Sequence, residues 1–308
     1  MKRLSAGLLF GFLSFSGCAQ NGIDIQSSGG PNTLLWKISG NGLAKPSYLF
    51  GTIHMICKED ALLSSNLKKV IHNVDEVYFE VDMDNMIEMF QVMTKMMMNG
   101  DTTLQDLLSK EDYEAVKEYF SKKETMLPFS MLEKMKPFFA ASTLQQDELP
   151  CESMAIMEQV IMTEAKTLDK PIKGLETMSY QAGILDSIPY KLQAEQLVSY
   201  IKNAEKDGND GSNETREMLK AYNDQNLVKL EEMINKSDVG ISSFTELLLY
   251  NRNRNWVKKL KGLMKDKTVL IAVGAGHLPG TQGVIELLKK EGYKVEPVDN
   301  KVSKLKEI

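Results

Sequence analysis

The stretch TVLIAVGAGHLPG, Thr268 to Gly280, constrains this chain more than any other. Val269 to Val273 are all apolar and rich in β-branched types. A run of that kind reads as a buried strand, parallel to its neighbours and covered on both faces. Gly274 and Gly276 then allow the backbone to turn beside His277. Pro279-Gly280 opens a helix expected over Thr281 to Lys290. Strand exits of this kind are where open α/β sheets place their ligands. The chain has three histidines, so few residues compete for a role at such a turn.

The pattern occurs twice. Leu34 to Ser39 and Ser47 to Ile53 read as a hairpin across Gly40 to Pro46, and the second strand ends in Gly51-Thr-Ile-His54. Both histidines thus follow an apolar run, a glycine and two further residues. Asp75 to Asp82 alternates as a half-buried strand would, with Glu80 near its end between Phe79 and Val81. Apolar neighbours disfavour a charge, so Glu80 is expected to have a partner. Lys170 to Gly174 forms a short strand with Glu176 just beyond it, and Tyr293 to Pro297 a last edge strand. The remainder is helical: Leu62 to Val74 (carrying His72, read as structural), Met83 to about Asp169, 179–186, 190–204, 213–236 and 242–263. The expected fold is therefore α/β, or mixed α+β. A central mixed sheet is flanked by helices, and a large helical insertion or lid covers about 84–168. Met86, Met89, Met93 and Met97 stripe one face of that block, a plastic apolar surface rather than a metal site.

Residues 1–17 combine a basic start, Lys2-Arg3, with a short apolar run, and read as an export signal. Ser16-Gly17 before Cys18 resembles a lipobox, which makes Cys18 the lipidation site; the alternative is an ordinary signal in which Cys18 has no role. Residues 18–33 are a polar, Gly/Ser-rich tether, and 34–308 the folded domain. The expected location is the cell envelope, on a membrane through the lipid anchor. A formal net charge of −5 offers nothing to favour nucleic acid. Cys57 and Cys151 either pair in an oxidising compartment or stand as two thiols.

If His54 and His277 converge at one sheet edge, they supply two imidazole ligands, with Glu80 as third ligand or general base and Glu176 in reserve. Arg252 and Arg254 point to different sides of one helix; Arg252, followed by Asn253, is taken as the inward one.

Taken together, Trp36, Gly51-Thr-Ile-His54, Glu80, Gly174-Leu-Glu-Thr177 before Gln181, Arg252-Asn253 and Val273 to Gly280 resemble the TraB/PrgY/GumN family, nearest its YbaP-like exported branch. The likeness spans Leu34 to Val298. Relatives of that family include the membrane-tethered Tiki metalloproteases, and the wider fold is similar to haem-binding ChaN and the erythromycin esterases. The resemblance implies a divalent-metal hydrolase acting on a peptide or small molecule. His54, Glu80 and His277 would form its centre, and Arg252 would bind a substrate carboxylate or oxyanion. Manganese or cobalt is favoured by the resemblance, with zinc also admitted. The alternative is a non-catalytic envelope lipoprotein that binds a peptide signal, haem or iron.

Overall fold

The computed structural model describes residues 32–123, 125, 127–144, 150–207, 212–236 and 244–302. The expected signal, Cys18 and nearly all of the tether lie outside the described residues. The described residues form eight strands: β1 Leu35–Gly40, β2 Ser47–Thr52, β3 Ile56–Cys57, β4 Glu76–Val81, β5 Met154–Ala155, β6 Ile172–Glu176, β7 Val269–Gly274 and β8 Tyr293–Val298. Six of them form one mixed sheet in the order β6-β4-β7-β2-β1-β8. β6, β4, β7 and β2 run parallel, so their C-terminal ends share one edge. β1 is antiparallel to both β2 and β8, which closes the far side. The fold is the expected α/β class.

β7 lies between β2 and β4, and its apolar run is fully buried. Alternate residues serve opposite faces. Leu270 and Ala272 join Phe50, Val77 and Phe79 under helices that contribute Ile71 and Ile161. Ile271 and Val273 join Leu49 and Tyr78 under Trp256, Leu260 and Leu288. β4 departs from its expected half-burial, because all six of its residues are buried. Its polar positions are satisfied by ion pairs rather than by water: Glu76 meets Lys173 and Lys267, and Glu80 meets Arg252.

A third apolar cluster begins at Val81, the last residue of β4, and gathers Val116, Phe139, Met178 and Leu197 beyond that end of the sheet. Within the 84–168 block, the Met157–Thr167 helix instead packs on the sheet through Met157, Ile161, Met162 and Ala165. The methionine stripe divides: Met89 and Met97 pack inward, whereas Met86 and Met93 are exposed together with Ile87 and Phe90. The helix after β7 starts at Val284 rather than Thr281. A tight turn at Ala275–His277 and the left-handed backbone of Gly280 (φ +81°) take up the intervening residues. β3 and β5 form a two-stranded ladder, and a disulfide joins Cys57 to Cys151. Among the described residues no helix is long and apolar enough to cross a membrane.

Candidate metal centre

Each candidate side chain leaves the sheet at its C-terminal edge. His54 follows β2, Glu80 and Glu176 close β4 and β6, and His277 ends the turn after β7. The two glycine turns pack on one another. A Cβ on Gly51 would stand 3.1 Å from both Cα and Cβ of Ala275, tighter than ordinary van der Waals contact, so glycine eases that approach. Gly274 serves Glu80 instead, donating its N–H to Oε1 at 2.8 Å.

His277 is buried, with its ring against Trp256 at a centroid distance of 4.4 Å. Its Nδ1 lies 2.6 Å from Asn253 Oδ1. Asn253 Nδ2 donates to Gln282 O at 2.8 Å, which orients the amide and leaves its oxygen for the ring. Nδ1 therefore carries the proton, and the Nε2 lone pair faces Glu80 Oε1 at 3.7 Å, accepting from Arg252 Nη1 at 3.3 Å. Burial lowers this imidazole to about 3, with Arg252 adding to the shift against the pull of Glu80. His277 is thus neutral at pH 7.

Arg252 is 1% exposed and sits in the first turn of the Asn251–Asp266 helix, after a wide π turn at Glu246–Tyr250. Its Nε and Nη2 reach Glu176 Oε1 at 2.8 and 2.5 Å, and Nη2 also reaches Glu80 Oε2 at 2.5 Å. Nη1 donates to Leu248 O at 3.0 Å and faces His277 Nε2. A guanidinium has five N–H donors, and these contacts engage all five. Beside the expected contact with a substrate anion, the structure gives Arg252 two carboxylate partners of its own, Glu80 and Glu176. Glu176 accepts also from Gln181 Nε2 and Trp256 Nε1. Burial would raise the Glu80 carboxyl, but the charge of Arg252 above all, with the N–H of Gly274, holds it far below the usual carboxylate range. Arg254 points outward and pairs with Glu246.

His54 is the more open histidine, its side chain 25% exposed. Its Nδ1 meets Glu158 Oε1 at 2.8 Å, and Thr52 Oγ1 donates to the same oxygen at 2.6 Å. Burial favours neutral imidazole, yet the Glu158 carboxylate outweighs it and raises His54 to about 9. The charges of Glu80 and Arg252 also act on His54, which places it in the same electrostatic neighbourhood. Glu158 escaped the sequence reading. Its signal was an acidic residue on a helix face otherwise lined by Met157, Ile161, Met162 and Ala165. His72 is exposed on its helix, away from these groups.

Glu80 and His277 are spaced to share a divalent cation, whereas His54, Glu80 and His277 together are not a trio whose ligand atoms all lie within 4.8 Å of one another. Both imidazoles have Nδ1 held by an oxygen, the arrangement that second partners impose on metal-ligating histidines, and Nε2 of His277 faces Arg252 Nη1 and Glu80. Two carboxylates, Glu80 and Glu176, share one guanidinium, an acidic excess that a cation offsets, while Glu158 pairs with His54. The 3.7 Å between His277 Nε2 and Glu80 Oε1 lies within reach of one ion bonded to each at about 2.0–2.2 Å. Among the described residues, one trio of His, Cys, Asp or Glu ligand atoms lies within 4.8 Å of one another: Cys57, Glu59 and Cys151. The disulfide consumes its two sulfurs, so it holds no metal.

The sequence profile of the TraB/PrgY/gumN family matches residues 34–297. The chain belongs to that family. Curated relatives of this TraB/PrgY/gumN member include "Metalloprotease TIKI2" of Xenopus tropicalis, 22% identical over 315 residues, covering 86% of this chain and 60% of the relative. "Metalloprotease TIKI1" of Homo sapiens is 23% identical over 316 residues, covering 86% and 62%. "Metalloprotease TIKI homolog" of Nematostella vectensis is 21% identical over 319 residues, covering 87% and 67%. The chain therefore spans about 60% of the length of the first two. No solved structure matches the chain.

Proposed function

We propose that this protein is a divalent-metal-dependent hydrolase, most plainly a peptidase, exported and anchored to the cell envelope through Cys18. His54, Glu80 and His277 would hold the cation. The observation that carries this reading is the close approach of His277 Nε2 to the ionised Glu80 Oε1, 3.7 Å apart, with Nδ1 of both His277 and His54 held by a side-chain oxygen. The family's metalloprotease relatives support a divalent-metal requirement. The disulfide suits an oxidising compartment, in keeping with export.

A bound cation in such a site supplies Lewis-acid polarisation of a scissile carbonyl and of water. The chain's own residues do the rest. Glu80 stays ionised at neutral pH, and its Oε1, facing His277, is the atom placed to bind the cation. Arg252 and Gln181 hold Oε2 and so aim Oε1 at His277. Asn253 keeps His277 in the tautomer a ligand needs. Fixed groups of this kind act without reorganising during the reaction.

The deciding experiment is metal analysis and peptide hydrolysis by the purified protein, wild type against His54→Ala and His277→Ala. Cleavage that depends on added manganese or cobalt and disappears in both variants is expected. Cleavage unchanged by both substitutions discards the proposal.

A further inference from the structure

Glu158 sits where a charge is costly. It is 5% exposed, in the first turn of a helix whose neighbouring inward residues are apolar. A carboxylate near a helix start gains from the helix dipole, but that benefit is available at the surface and does not require burial. Its contacts point elsewhere. Oε1 accepts from His54 Nδ1 at 2.8 Å and from Thr52 Oγ1 at 2.6 Å, both residues of the β2 exit, while the buried Oε2 has no hydrogen-bond partner among the described residues.

The backbone around this pair is tied together. Ile56 pairs with Ala155 and Cys57 with Met154; Lys58 N donates to Ser153 O at 3.0 Å; and the Cys57–Cys151 disulfide closes the same ladder. The loop carrying His54 and the segment entering the Glu158 helix are thereby held in register. Asn253 makes the equivalent contact to His277 from an unrelated helix, so each histidine has its own oxygen on Nδ1.

We propose that Glu158 is a positioning residue for metal binding: by holding Nδ1 of His54 it fixes the ring and leaves Nε2 to face the cation shared with Glu80 and His277. This rests on the metal-centre reading above. It adds a residue that acts through His54 and touches neither cation nor substrate.

The test is a cobalt titration of the full chain purified in detergent, followed by visible absorbance and by calorimetry. The variants are Glu158→Ala, Glu158→Gln, His54→Ala and the Glu158→Ala/His54→Ala double. Glu158→Ala is expected to weaken cobalt binding about 10–100-fold. Glu158→Gln keeps an acceptor oxygen and should recover most of that loss. The double variant should bind no more weakly than His54→Ala alone, since Glu158 has nothing left to position. On the zinc-loaded protein, histidine 15N shifts should place the metal on Nε2 of His54, and that signature should be lost in Glu158→Ala. If His54→Ala weakens cobalt binding but Glu158→Ala does not, or if the two losses add in the double, the role assigned to Glu158 is wrong while the metal centre stands. If His54→Ala itself binds cobalt as wild type does, the metal-centre reading fails and takes this proposal with it. Should Glu158→Ala fail to fold by circular dichroism, Glu158→Gln decides: its His54 shifts must remain those of wild type, and altered shifts overturn the proposal.

Discussion

Nδ1 of His277 and Oδ1 of Asn253 stand 2.6 Å apart, and this contact decides which ring nitrogen carries the proton. Replacing Asn253 with alanine removes the acceptor and leaves the ring free to adopt either tautomer. Metal affinity is predicted to fall about 10–100-fold, the usual cost of losing a second partner to a ligating histidine. Calorimetric titration with manganese or cobalt measures it. An unchanged affinity would show that the tautomer does not matter.

Arg252 neutralises two buried carboxylates at once, Glu80 and Glu176. Arg252→Met strands both, and breaking a buried pair from one side typically costs about 3–5 kcal/mol. Urea unfolding should register a loss of that order. Arg252→Lys should recover only part of it, because an ammonium lacks the planar fork that spans the two acids. Full recovery by lysine would mean that charge alone, without geometry, holds the cluster.

Gly51 is predicted to be intolerant even of alanine. The added methyl would meet Cα and Cβ of Ala275 and Cδ2 of Leu278, each at 3.1 Å, where two backbone turns have no room to separate. Overpacking of this kind costs about 1–3 kcal/mol. Thermal unfolding of Gly51→Ala tests it, and a melting temperature equal to wild type contradicts the close packing of the two turns.

Glu76 gives the acid limb of stability a specific source. Burial would raise its carboxyl, but hydrogen bonds from Lys267, Lys173 and Tyr78 hold it below its ordinary value of 4.5. A group lowered on folding contributes stability that is present above its unfolded pKa and is lost as pH falls through the folded one. The protein should therefore lose stability below about pH 4.5, and Glu76→Gln should flatten that loss. Denaturant midpoints for both proteins at pH 7 and in the acid range test this; parallel curves would remove Glu76 from the account.

Local pattern by itself determined a good deal. The unbroken run Val269 to Val273 could only be a strand buried on both faces, and the glycine-x-x-histidine endings put His54 and His277 at strand exits. Spacing along one helix also put Arg252 and Arg254 on different sides, though it did not decide which faces inward; the structure buries Arg252. Other features were beyond it. The apolar neighbours of Glu80 called for a partner without naming it, and the alternation of β4 suggested half-burial, when in fact β4 is flanked by β6 and β7 and all six of its residues are buried. Glu158 looked like any acid in the first turn of a helix, and the saturation of Arg252 had no signature in the sequence at all. The physical reason is that periodicity reports which way a side chain points relative to its own element, whereas a hydrogen-bond partner is set by sheet order and by which helix lands over which strand end. Only tertiary structure brings Glu158 to His54, Asn253 to His277 and Arg252 to Glu80, and those three contacts are what make two scattered histidines a site.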